Sequence, residues 1–229
     1  MRLITSQNNF IYLTIALVVL LLTGALSLTV PMERGHNLLQ FVTLITVFVG
    51  LRSLGVGQAL SRLVLSLAGA IVVVSLIGEF VKVAGLDYVY LLITLVFFAW
   101  AAWVTGRQVL FTGTIDTNRI VGSLALYLLL GLIWSTLFLL LLEMSPTALN
   151  GVEDLKWNEN FAITTYFSFV TLTTLGFGDI SPAEPLAAVV VFLESVIGVF
   201  YIAIVVASLV SARLAQIRTE NLHQQEKSE

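Results

Sequence analysis

From Phe10 to Val30 the chain runs without a single charged side chain. A segment of that kind can satisfy its backbone polar groups in lipid only by folding as a helix, and about 20 apolar residues suffice to cross a bilayer. The run therefore constrains the fold more than any other feature. It is too long for the apolar core of a secretory leader. The whole chain follows suit: it is 58% hydrophobic and 11% charged, where a soluble domain carries about 25% charged residues. An ordinary soluble enzyme and a disordered chain are both excluded on this balance.

Five further runs fit the same reading. They are a short one from Leu38 to Leu51 with Arg52 at its end, then Leu63 to Val83, Tyr88 to Val104, Ile120 to Leu142, and Leu186 to Leu209. Tyr88, Tyr90, Trp100 and Trp103 are placed as interfacial anchors of the fourth. Between the last two runs lies Phe161 to Thr173, which is too short to span and is followed by a glycine-rich turn. The expected fold is an all-α membrane protein. It has six transmembrane helices, with a re-entrant pore helix and loop between the fifth and sixth. Irregular backbone at that depth must line a cavity or be buried in protein.

Charge placement sets the orientation. With the N-terminus inside, Arg2, Arg52, Arg62, Arg107, Arg119, Arg213, Arg218 and Lys227 fall on the cytoplasmic side, and Arg34, Lys82 and Lys156 outside. The excess of basic residues inside agrees with the rule for short loops. A multi-pass protein of the cell membrane (plasma or inner) is expected, with both termini cytoplasmic. The polar stretch from Gly106 to Asn118 divides the chain. Residues 1–106 are expected to form a four-helix front unit, 107–119 a linker, 120–212 a back unit of span, loop and span, and 213–229 a short polar tail.

The stretch Tyr166 to Asp179, YFSFVTLTTLGFGD, carries the chemistry. A short helix ends in Thr171 and Thr173, and an extended run, Thr174-Leu175-Gly176-Phe177-Gly178, follows, closed by Asp179. Alternate glycines allow backbone torsions of both signs. Successive carbonyls can then turn to one side, which an ordinary strand forbids. A ladder of carbonyl oxygens, with the Thr174 hydroxyl at its inner end, can replace the hydration shell of a monovalent cation. The negative C-terminal end of the preceding helix favours a cation there.

This stretch resembles the selectivity filter of potassium channels, whose usual form is Thr-Val-Gly-Tyr-Gly-Asp. Leu175 and Phe177 replace Val and Tyr, and Phe177 lacks the hydroxyl that commonly ties the filter to the pore helix. The resemblance covers Ile120 to Arg213 and extends more loosely to bacterial six-span members of that superfamily. It implies potassium as the permeant ion, bound at Thr174, Leu175, Gly176, Phe177 and Gly178. Asp179 is implied at the outer mouth, and Tyr166, Thr171 and Thr173 on the pore helix. One chain supplies one loop, and such filters use four, so a homotetramer is expected. Glu143, Glu153, Asp154, Glu159, Asp179 and Glu184 outnumber Lys156 on the outer side, and a negative mouth concentrates cations.

In the last run, Gly198 is either a bending point, as the family implies, or a site of close helix packing. Val199, Ile202, Val206 and Val210 recur at helical spacing as a candidate cavity lining, able to gate by dewetting. Glu194 is turned about 140° from Val199 at helical spacing. It is a candidate brace for the filter, or a proton sensor, with Ser168, Thr171 and Tyr166 as candidate partners.

The fourth run lacks the arginines of a voltage sensor, since Arg107 stands beyond it. Glu79 and Lys82 are spaced to pair on a helix. There is no cysteine, and the two histidines, His36 and His223, lie far apart. No cofactor, no metal beyond permeant K+, no nucleic acid and no catalytic constellation is expected; membrane lipid is the expected surrounding. The expected function is passive, potassium-selective conduction. The alternatives are a weakly selective monovalent cation channel and a non-conducting membrane scaffold or sensor.

Overall fold

A computed structural model describes residues 9–27, 29, 32–54, 69, 85–110, 117–153, 156–208, 210–211, 213–215 and 218. The helices are α1 (Asn9–Ser27), α2 (Met32–Ser53), α3 (Leu86–Leu110), α4 (Thr117–Met144), α5 (Trp157–Leu172) and α6 (Pro185–Phe200), the last continuing as a π-helical segment, Tyr201–Val206. Two strands of two residues each, β1 (Leu149–Asn150) and β2 (Ser181–Pro182), pair antiparallel. Among the described residues the fold is all-α apart from that ladder.

Among the described residues four stretches are long and apolar enough to cross a membrane: α1, α3, α4 and the continuous Pro185–Val206. The expected second span appears as the shorter apolar part of α2, Leu38–Ser53. The expected third span apart from Gly69, and with it the Glu79–Lys82 pair, lies outside the described residues. The expected divide at residue 106 is bridged by helix, because α3 runs on to Leu110.

In lipid there is little hydrophobic drive between helices, so close packing and hydrogen bonds must hold them. Where α1, α2 and α4 meet at one end of the bundle, Asn9 Nδ2 donates to the Ser53 carbonyl (3.0 Å) and Ser53 Oγ to the Asn9 carbonyl. Asn118 Nδ2 donates to Asn9 Oδ1 (2.7 Å), and the Phe10 amide to Asn118 Oδ1 (3.2 Å). This network pins the start of α4 to α1 and α2. Around it Leu13, Leu17 and Leu20 of α1 pack with Phe97, Phe98 and Ala101 of α3 and Leu129 and Leu132 of α4 in one buried cluster. Asp87 in the first turn of α3 and Arg107 in its last complement the helix dipole.

The other end is fastened around the short helix. Trp157, the first residue of α5, stacks on Tyr90 of α3 (centroids 4.4 Å) and donates its indole N–H to Asp87 (3.0 Å). The ladder β1–β2 joins the two approaches to the short helix and its loop. Beside it Ser145 and Thr147 donate to the Glu184 carboxylate, the latter at 3.0 Å. Glu184 precedes Pro185, which starts α6 where its missing N–H costs nothing.

Candidate functional site

The short helix α5 begins four residues earlier than its apolar pattern suggested and ends at Leu172; Thr173, expected within it, is the capping residue. Its N-terminal turn, Trp157 to Asn160, is polar in sequence, and it is held in place by the Trp157 contacts to α3. A row of hydroxyls fixes its face against α4. Ser135 Oγ lies 3.1 Å from Thr164 Oγ1 and 2.9 Å from Thr165 Oγ1, all buried. Below them Ser168 Oγ stands 2.8 Å from the Gly131 carbonyl. The Phe169 ring occupies the space that any side chain at Gly131 would need. Phe167 meets Phe138 (centroids 4.9 Å).

Beyond the helix the backbone alternates in handedness. Thr174 has φ 60°, Gly176 58° and Gly178 79°, while Leu175 and Phe177 between them stay at negative φ. The two glycines adopt this conformation without steric cost. For a β-branched threonine it is an outlier, costing on the order of 1–3 kcal/mol. The helix end supplies the restraint. The Thr174 amide donates to the Thr171 carbonyl (2.9 Å), and the amides of Leu175 and Gly176 both donate to the Val170 carbonyl (2.9 and 3.3 Å).

The carbonyls of Thr174 to Gly178 accept no backbone hydrogen bond among the described residues. Residues Thr173 to Asp179 are exposed in the single chain, Leu175 at 60% and Phe177 at 65%.

The outer end of the loop is tied back to α5. Tyr166 donates its hydroxyl to Asp179 Oδ2 (2.8 Å), and its ring lies parallel to that of Phe177 at 6.5 Å between centroids. The adjacent carboxylate, by accepting that proton, holds the Tyr166 phenol above its ordinary pKa. The hydroxyl of this tie belongs to the helix, since Phe177 has none, and it reaches the carboxylate that follows the loop. Sequence reasoning placed Tyr166 on the helix but missed this bond, as it missed Trp157, Asp87 and Ser135. The available signal was the spacing: Tyr166 stands two turns before the helix end, level with a loop that returns alongside it. The Thr171 side chain is buried, and Thr173 Oγ1 donates to the Phe169 carbonyl (2.5 Å).

Behind the loop, Glu194 is fully buried, and its Oε1 lies 2.6 Å from Ser168 Oγ. Of its three candidate partners the structure brings Ser168 to it; Tyr166 turns to Asp179 instead. Gly198 packs directly on the backbone of Leu172, so α6 passes the helix end with no room for a side chain there. No break occurs at Gly198, where the helix remains α. The irregularity comes three residues later, in the π segment, whose Tyr201 donates its hydroxyl to the Ser123 carbonyl of α4. Uniform α spacing through Val199, Ile202, Val206 and Val210 therefore fails, because Tyr201–Val206 is π; all four side chains are exposed in the single chain.

The site is thus a helix too short to span, seated between two long apolar helices and followed by a loop whose carbonyls accept no backbone hydrogen bond among the described residues. Residues 124–213, from within α4 to beyond the π segment, match the family model described as "Ion channel". No curated protein and no solved structure matches the chain. The family match and the apolar helices together support an ion channel embedded in a membrane as a multi-pass protein.

Proposed function

We propose that this chain is one subunit of a homotetrameric, potassium-selective channel that conducts K+ passively across a cell membrane. The observation that carries the reading is the loop Thr174–Gly178. It alternates in backbone handedness residue by residue and leaves its carbonyls without backbone partners among the described residues. Oxygens freed in this way can coordinate a dehydrated monovalent cation. One chain supplies a quarter of such a cage. The exposure of Leu175 and Phe177 supports the presence of further copies around the loop.

In this reading Thr174 to Gly178 bind the ion and Asp179 marks the outer mouth. Glu194 braces the filter from behind. Val199, Ile202, Val206 and Val210 lie along the cavity below. Six spans put both termini in the cytoplasm. Residues 1–106 are a front unit without a voltage sensor, and residues 120–212 are the pore unit.

Purified protein in liposomes with opposed K+ and Na+ gradients tests the proposal. The expected reversal potential lies near the potassium equilibrium value. A reversal near zero would replace the reading with a weakly selective cation channel, and absence of any current would replace it with a non-conducting role.

A further inference from the structure

We infer that Glu194 is held as a neutral carboxylic acid, donating its proton to Ser168, which in turn donates to the Gly131 carbonyl. The inference rests on counting protons. Ser168 Oγ lies 2.6 Å from Glu194 Oε1 and 2.8 Å from the Gly131 oxygen. A serine hydroxyl carries one proton, and a carbonyl oxygen only accepts. An ionised carboxylate only accepts as well. With Glu194 ionised, two acceptors would compete for one proton, and one of them would face a lone pair at hydrogen-bond distance. With Glu194 protonated, both contacts are hydrogen bonds and the chain has one direction: acid to serine to carbonyl.

The surroundings agree. Glu194 and Ser168 are both at 0% exposure. Glu194 Oε2 is buried and has no hydrogen-bond partner among the described residues, a position that suits the carbonyl oxygen of an acid and penalises a carboxylate. The three helices that meet here, α4, α5 and α6, contain one basic residue between them. That residue is Arg119, twelve positions from Gly131 on α4, which is about 18 Å along the axis. Tyr127 of α4, which feels Glu194 electrostatically, is a phenol and carries no charge at neutral pH. A buried carboxylate without a cation is costly enough that the group ordinarily neutralises instead.

The consequence is a clamp across three helices. Glu194 of α6 holds Ser168 of α5, and Ser168 holds the α4 backbone at Gly131, where Phe169 already fills the gap. Ser168 stands six residues before Thr174, so the clamp sets the seat of the helix on which the loop is built. Glu194 is thus a positioning residue. That role rests on the channel reading, but its protonation state does not.

Infrared spectroscopy of the full-length protein in lipid bilayers at neutral pH tests the protonation state directly. The wild type is expected to show a protonated-carboxyl C=O stretch. Glu194→Gln should abolish it, and Ser168→Ala should shift it by removing the acceptor. Absence of the band from the folded wild type would overturn the inference whether or not the protein conducts. Survival of the band in Glu194→Gln would overturn it equally. Glutamine keeps an N–H donor in the acid's place, so Glu194→Gln should retain thermal stability and potassium flux. Glu194→Leu should lower the population of the intact clamp roughly 5- to 150-fold, the range for one orphaned buried polar group. Should Glu194→Gln destabilise the protein as much as Glu194→Leu, the native species is the carboxylate and the inference fails.

Discussion

Replacing Gly198 with alanine separates a bending point from a packing contact by the sign of its effect on stability. A glycine inside a helix costs about 1 kcal/mol relative to alanine, so a substitution into open space should stabilise the fold by about that much. At Gly198 the added Cβ would stand 2.9 Å from the carbonyl carbon of Leu172 and 3.1 Å from its Cα, with the carbonyl oxygen nearer still. These are backbone atoms at the end of α5, and they cannot rotate away as a side chain could. Forcing a methyl group into a filled site costs about 1–3 kcal/mol. Set against the gain in propensity, the net effect is a loss of roughly 0–2 kcal/mol. Gly106 in the interior of α3 is the internal control. Its nearest neighbours to an added Cβ, the Leu126 methyl carbons, lie at 3.7 and 3.9 Å, ordinary contact distances. Gly106→Ala should therefore stabilise where Gly198→Ala destabilises, a separation of about 1–3 kcal/mol. Thermal unfolding of both variants in one detergent provides the comparison. Equal stabilisation by the two would refute the packing argument and return Gly198 to the role of a hinge.

Gly176→Ala and Gly178→Ala each oppose a positive φ and should abolish selective conduction while leaving the helices intact; K+ and Na+ reversal potentials and circular dichroism measure the two halves of that statement. Tyr166→Phe keeps the ring over Phe177 and removes the bond to Asp179. It should leave the melting temperature nearly unchanged but shorten open lifetimes in single-channel records, at about 0.5–1.5 kcal/mol of lost restraint. Conductance should vary little with voltage, because the fourth run holds no arginine series and each charge moved contributes only about 2.3 kcal/mol per 100 mV. A steep conductance–voltage curve in planar bilayers would contradict this.

What could be read from the residues follows what depends on local chemistry. The uncharged runs dictated α1 and α4, since a backbone in lipid has no other means of satisfying itself. Gly176 and Gly178 announced positive φ because no other residue adopts it freely. Thr174 gave no such signal: its left-handed backbone is imposed by the amides that fold back on Thr171 and Val170. The ladder β1–β2 is too short to show any alternation. Tyr166 and Asp179 meet because the chain doubles back, and Trp157 meets Asp87 across 70 positions. Neither pairing leaves a periodic trace. The π segment is equally silent, because a change from i→i+4 to i→i+5 bonding leaves the hydropathy of YIAIVV unaltered.

That segment holds, in effect, one spare residue. A π turn takes up one residue more than an α turn. The helix beyond Val206 is therefore offset from an uninterrupted α-helix by one residue, about 100° of azimuth. Tyr201, fixed to the Ser123 carbonyl, anchors the upper edge of the slack, so any tightening of the turn into α geometry must be expressed below it, as rotation of the stretch that includes Val210. Deleting one residue between Ile202 and Val205 would remove the slack and lock that lower stretch in its α register, while the contacts of Glu194, Gly198 and Tyr201 above stayed where they are.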